Sequence, residues 1–84
     1  MAKKDEEFKF EIVEIIERLT DKSDKGWIKL FSLVKWGDSN EPVYDIRNWK
    51  ISDDDQPERC GKGISLSYDE VALLGQALYD KGIV

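Results

Sequence analysis

Ten consecutive residues, Trp27 to Trp36, alternate without interruption between two faces. Trp27, Lys29, Phe31, Leu33 and Lys35 fall on one side, and Ile28, Leu30, Ser32, Val34 and Trp36 on the other. A period of two belongs to an extended strand, not to a helix. The run is bounded by Ser23-Asp24-Lys25-Gly26, a turn signal ending in glycine, and by the loop Gly37-Asp38-Ser39-Asn40-Glu41-Pro42. This strand sets the frame into which the rest of the chain has to fit.

The segment before it, Phe8 to Thr20, admits two periods. Phe8, Ile12, Ile15, Ile16 and Leu19 fit one helical face. Phe8, Phe10 and Ile12 fit strand alternation, which Val13, Ile15 and Leu19 continue one residue out of phase. A β-bulge near Ile12-Val13 reconciles the strand reading, and the β-branched and aromatic content favours it. The first two strands then form a long hairpin. Val43 to Trp49 reads as a third strand, with Tyr44 and Ile46 on one face and Val43, Asp45, Arg47 and Trp49 on the other. Ser52 to Cys60 is polar and acidic and contains Pro57, which predicts a loop before a short fourth strand, Lys62 to Leu66.

Ser67-Tyr68-Asp69-Glu70 is a capping box at the head of an apolar run. It predicts a helix to about Lys81, stopped by Gly82, with Val71, Leu74 and Leu78 as its apolar stripe. The fold class is α+β, a curved four-stranded antiparallel sheet followed by one C-terminal helix. Eighty-four residues make a single domain with a thin core, spanning 8–84 after a disordered segment 1–7. A helix of about 15 residues is roughly 22 Å long, whereas a 12-residue strand reaches roughly 40 Å. One helix is too short to cover such a sheet, so a homodimer is expected to supply the remaining cover. The alternative is a sheet that curls over itself.

Composition narrows the chemistry. The chain has no histidine and a single cysteine, Cys60, which removes the commonest general base, the usual zinc ligands and any internal disulfide. Asp53-Asp54-Asp55 lacks the spacing of a calcium loop and reads as a solvated acidic run. No paired carboxylates or nucleophilic constellation stands out, so no enzyme, metal, cofactor or small-molecule substrate is expected. The charged N-terminus does not read as a signal peptide, and no apolar run reaches membrane length. A cytoplasmic protein is the expectation.

The net charge is −5, yet residues 25–50 carry five basic groups against three acidic ones. All three tryptophans, Trp27, Trp36 and Trp49, lie in that stretch, interleaved with Lys25, Lys29, Lys35, Arg47 and Lys50. Rings alternating with cations suit a single-stranded nucleic acid, whose bases stack and whose phosphates need positive partners. Trp27 shares its face with Phe31 and Leu33 and is expected in the core, and Lys29 beside it snorkels over apolar neighbours. Asp45 lies on the face of Arg47, and an exposed pair there contributes little.

Two blocks, Tyr44-Asp45-Ile46-Arg47-Asn48-Trp49 and Gly61-Lys62-Gly63-Ile64-Ser65-Leu66, occur in order and run into the capped helix. Together they resemble the DNA-binding domain of the transcriptional coactivator positive cofactor four, over roughly residues 8–82. The acidic ends and short length look more like the small bacterial members. The resemblance implies a dimer of β-β-β-β-α subunits that binds single-stranded DNA with little sequence preference, in transcription regulation or in DNA repair and replication. A bacterial, nucleoid-associated location follows from it.

Carried over by position, Arg47 and Trp49 match the Asp-Ile-Arg strand and Lys62 matches the lysine of the fourth strand. Trp36 matches an aromatic position at the hairpin tip, with Lys35 as a neighbouring phosphate partner. Gly61 and Gly63 around Lys62 suggest close approach of a phosphate to the backbone. The chain departs from the family in its longer loop 37–42, where Asp38 and Glu41 stand in place of lysines, and in Gly61, where a second basic residue is usual. Stacking does not distinguish the sugars, so RNA is admitted alongside DNA. The alternative reading is a dimeric protein-interaction module of the same fold that does not bind DNA.

Overall fold

The computed structural model describes residues 9–84. The expected frayed segment 1–7 and the strand start at Phe8 lie outside the described residues. Four strands, β1 (Phe10–Arg18), β2 (Trp27–Trp36), β3 (Val43–Ile51) and β4 (Pro57–Leu66), precede one helix, α1 (Tyr68–Asp80). The strands form a single open, curved antiparallel meander in the order β1-β2-β3-β4.

β2 has the bounds that its alternation predicts. β1 is a strand, not a helix, and its register against β2 slips between Ile12 and Glu14, where the phase change of its apolar residues requires a bulge. A second slip lies between Ile15 and Glu17. Two boundaries differ from expectation. β3 continues past Trp49 to Ile51, and β4 begins at Pro57, five residues before Lys62. Pro57 is compatible with a strand because it is the first residue of an edge strand, where its missing N–H costs no interior ladder bond. The loop shrinks to a tight turn in which Asp55 N donates to Ser52 O at 2.9 Å and Gln56 N to Ser52 Oγ at 3.2 Å.

The capping box forms as predicted. Glu70 N donates to Ser67 Oγ at 3.1 Å and Ser67 N to Glu70 Oε1 at 2.8 Å. The helix ends in a Schellman motif, with Gly82 at φ 71°, Gly82 N donating to Tyr79 O at 3.1 Å and Ile83 N to Leu78 O at 2.9 Å.

The two sheet faces are unequal. Ile28, Leu30, Val34, Trp49 and Ile51 form a buried cluster on one face, flanked by Phe10, Ile12, Trp36 and Cys60. The sheet curls over this face, so that the Phe10 ring on β1 reaches within 4.9 Å of Trp49 on β3. The other face presents Phe31, Leu33, Tyr44 and Ile46, with Ile64 56% exposed. Helix α1 leaves this face largely open. None of its residues is buried, and Leu73 and Tyr79 are 71% and 72% exposed. The helix meets the sheet through Tyr68, whose ring lies 6.3 Å from Tyr44, which in turn lies 6.0 Å from Phe31. Among the described residues no helix is long and apolar enough to cross a membrane.

Candidate nucleic-acid interface

The end of the sheet where β1 starts and β2 stops carries an open groove of about 870 Å³. Its lining includes Phe10, Trp36, Arg47, Cys60, Gly61 and Ser65. Antiparallel register builds it. Phe10 pairs with Trp36, and Asp45 pairs with both Ser32 and Ser65, which places residues from all four strands on one face.

Trp36 is half-buried, with its plane 5° from that of Trp49 and the ring centroids 6.2 Å apart. Its indole Nε1 donates to Ser65 Oγ at 3.1 Å. The Arg47 guanidinium carbon lies 4.7 Å from the Trp36 ring centroid, in cation–π contact. Arg47 Nε donates to both Asp45 oxygens, at 2.8 and 3.0 Å, and Nη1 donates to Gly61 O at 3.2 Å. The Asp45–Arg47 pair is not the exposed one that the strand alternation suggests, because Asp45 is 0% exposed and the Arg47 side chain only 16%. Curling of the sheet puts position 45 beneath its neighbours, where the pair is screened from water. Among the described residues Arg47 Nη2 has no hydrogen-bond partner, and it is the part of the guanidinium left to meet a ligand.

Trp49 does not fit the role of stacking platform. It is 0% exposed and packs between Phe10 and Trp36 over the buried cluster. The reason lies in the strand length. With β3 running on to Ile51, Trp49 sits inside the strand, opposite Ile28, instead of at a thin strand end. Trp27 is corrected in the opposite sense. It lies outside the buried cluster, half-buried on the open face, with Arg59 5.7 Å from its ring.

Lys62 is exposed on β4 and Lys35 half-buried on β2, and neither lines the groove. Lys35 pairs in register with Glu11 on the face that carries Phe31 and Leu33. The glycines flanking Lys62 have a packing reason instead of a phosphate one. A Cβ at Gly63 would stand 1.8 Å from Arg47 Cβ, and one at Gly61 would stand 2.7 Å from the Trp27 ring.

Sequence reasoning passed over Phe10 and Ser65 as site residues and undervalued Asp45. Their signal is cross-strand. Ser65 lies two residues beyond Gly63, and Asp45 two before Arg47, so each falls on the Arg47 face once register is known. The groove also holds Lys9, Arg59, Asp38 and Glu58. Lys9 Nζ is 3.6 Å from Asp38, with both side chains exposed. With Arg47 neutralised by Asp45, two cations face two carboxylates, so the groove has shape and rings but little net positive charge. Asp53 and Asp54 are exposed, Asp55 lies 3.7 Å from Lys22, and among the described residues no three His, Cys, Asp or Glu side chains converge to hold a metal ion.

No protein-family model matches the chain, and no curated protein matches it.

Proposed function

We propose that this protein binds single-stranded nucleic acid, DNA in the first instance, as a homodimer of the positive-cofactor-four type. The observation that carries the reading is the half-buried Trp36 ring, held at its edge by Ser65 and covered by the Arg47 guanidinium, in an open groove walled by Phe10. Bases stack on aromatic faces and on guanidinium planes alike, with a contribution of about 1–3 kcal/mol per base. Every base has such a face, so sequence preference is weak. A duplex is excluded because its bases are already stacked and cannot reach the ring.

Phosphate contacts are the lesser part. Arg47 Nη2, Arg59 and Lys9 flank the groove, and Lys62, exposed on β4, serves a strand that continues beyond it, whereas Lys35 lies on the opposite face of the sheet. Two or three neutralised phosphates give a log–log salt slope of about −1.4 to −2 on a single strand. This is shallower than a cation-lined channel would produce.

The second copy covers the open face. Phe31, Leu33, Tyr44 and Ile46 on the sheet and the Val71, Leu74 and Leu78 stripe of α1 are the apolar groups it would cover. A two-fold axis lets such a patch meet itself. The setting is a bacterial cytoplasm, in transcription regulation or DNA repair and replication, with no catalytic role. A second reading, a protein-interaction module without DNA binding, draws on the matched charges of the groove.

Tryptophan fluorescence on addition of an oligo-thymidine decides between them. Quenching that disappears in Trp36→Ala supports nucleic-acid binding. Unchanged fluorescence at low salt, or equal affinity for duplex, removes it and leaves the interaction module.

A further inference from the structure

The Asp45 carboxylate is wholly buried. A charge taken out of water is tolerated only where partners surround it. Both of its side-chain partners belong to the groove. Arg47 Nε donates to Oδ2 at 2.8 Å and Oδ1 at 3.0 Å, and Ser65 Oγ donates to Oδ1 at 2.9 Å. Ser65 has a single hydroxyl proton. Committing it to the carboxylate leaves only lone pairs for the indole, which is what the Trp36 N–H at 3.1 Å requires. One carboxylate therefore fixes the edge of the Trp36 ring through Ser65 and the cation over its face through Arg47.

We propose that Asp45 is the positioning residue of the base-stacking site. It sets the orientation of Trp36 and Arg47 before a strand arrives and touches no nucleic acid itself. The proposal rests on the reading of the groove as a single-strand site. Its physical content is preorganisation. Two large side chains ordered in advance lose less freedom on binding, which corresponds to about tenfold in affinity. A carboxylate suits the role and an amide does not. Asn has one acceptor oxygen: at the Oδ1 position it still accepts from Ser65 but turns its NH2 group toward Arg47 Nε at the Oδ2 position, and the flipped amide turns that NH2 group toward Ser65 instead.

The test uses the full chain with Asp45→Asn and Ser65→Ala, an oligo-thymidine as probe, and ¹⁵N relaxation of the Trp36 indole N–H without ligand. Asp45→Asn is expected to weaken binding about tenfold and Ser65→Ala several-fold. The salt slope stays within half a unit of wild type, because no phosphate contact is removed. The Trp36 indole order parameter falls from about 0.85 to below about 0.6 in both variants. Ser65 is exposed on an edge strand, so Ser65→Ala carries the test if Asp45→Asn does not fold. Tighter binding by Asp45→Asn with a steeper salt slope would show that Asp45 merely neutralises Arg47, and would overturn the proposal. So would wild-type order of the Trp36 indole in the variants. A wild-type chain that binds no oligonucleotide overturns the function itself, whereas binding with an unaltered indole overturns this role alone.

Discussion

Gly63→Ala isolates the one close approach on which the groove depends. Gly63 stands opposite Arg47 in the β3–β4 register. An added Cβ would lie 1.8 Å from Arg47 Cβ, 2.4 Å from Ile46 O and 2.5 Å from Arg47 Cα. Directly opposed Cβ atoms in a normal antiparallel pair are about 4.5–5.5 Å apart. Two of the three obstacles are backbone atoms, so a rotamer change gives no relief and the strands must separate. Overpacking of this kind costs about 1–3 kcal/mol. Separation also pulls Ser65 Oγ from the buried Asp45 carboxylate and Arg47 Nη1 from Gly61 O, and a buried polar group left without its partner costs about 1–3 kcal/mol. The sum, about 2–6 kcal/mol, is a large part of the stability of a small domain.

Urea unfolding at fixed protein concentration measures it, with two internal references. A Cβ at Gly61 meets the Trp27 side chain at 2.7 Å, and that ring lies half-exposed with room to move. Gly61→Ala is therefore expected to cost about 1–2 kcal/mol. Gly75 lies within α1 and has nothing within 4 Å of the added atom. Gly75→Ala is expected to stabilise by up to about 1 kcal/mol, the helix-propensity difference. At a slope of about 1 kcal/mol per molar for so small a domain, Gly63→Ala is expected to lower the urea midpoint by about 2 M or more. A Gly63→Ala midpoint within 1 M of wild type, or equal to that of Gly61→Ala, would refute the close-approach argument.

Trp36→Ala and Trp49→Ala separate platform from core. The first should leave the fold intact and weaken oligo-thymidine binding by about 1–3 kcal/mol, whereas the second should destabilise the protein by about 3–5 kcal/mol, both read from paired urea and fluorescence titrations. Ser67→Ala removes one half of the reciprocal cap and should lower helix content or stability by about 1 kcal/mol, seen in circular dichroism during unfolding. Leu74→Glu places a charge on the apolar stripe of α1, where Leu74 is 44% exposed. It should convert a sedimenting dimer to monomer, and an unchanged dimer would move the interface elsewhere.

Much of the fold could be read before any coordinates, and for local reasons. Unbroken alternation gave β2 its bounds, the phase slip in the apolar residues of β1 located a bulge, and a reciprocal Ser67–Glu70 cap marked the start of α1. Each depends on neighbours within a few residues. The start of β4 was not legible in the same way. Pro57 and a polar surrounding resemble a loop unless the strand is known to lie at a sheet edge.

The site divides along the same line. The sequence determined which side chains were available, a tryptophan at the end of β2 and an arginine on β3, because residue type and strand parity are local properties. Which ring meets solvent was decided only by tertiary structure. Trp36 and Trp49 are equal in composition and lie on the same face. Curling of the sheet buries Trp49 at 0% exposure and leaves Trp36 in the groove. Register decided the rest. Pairing Asp45 with Ser65, 20 residues away in sequence, joined a buried carboxylate to the edge of an indole, and no periodicity encodes a contact between strands.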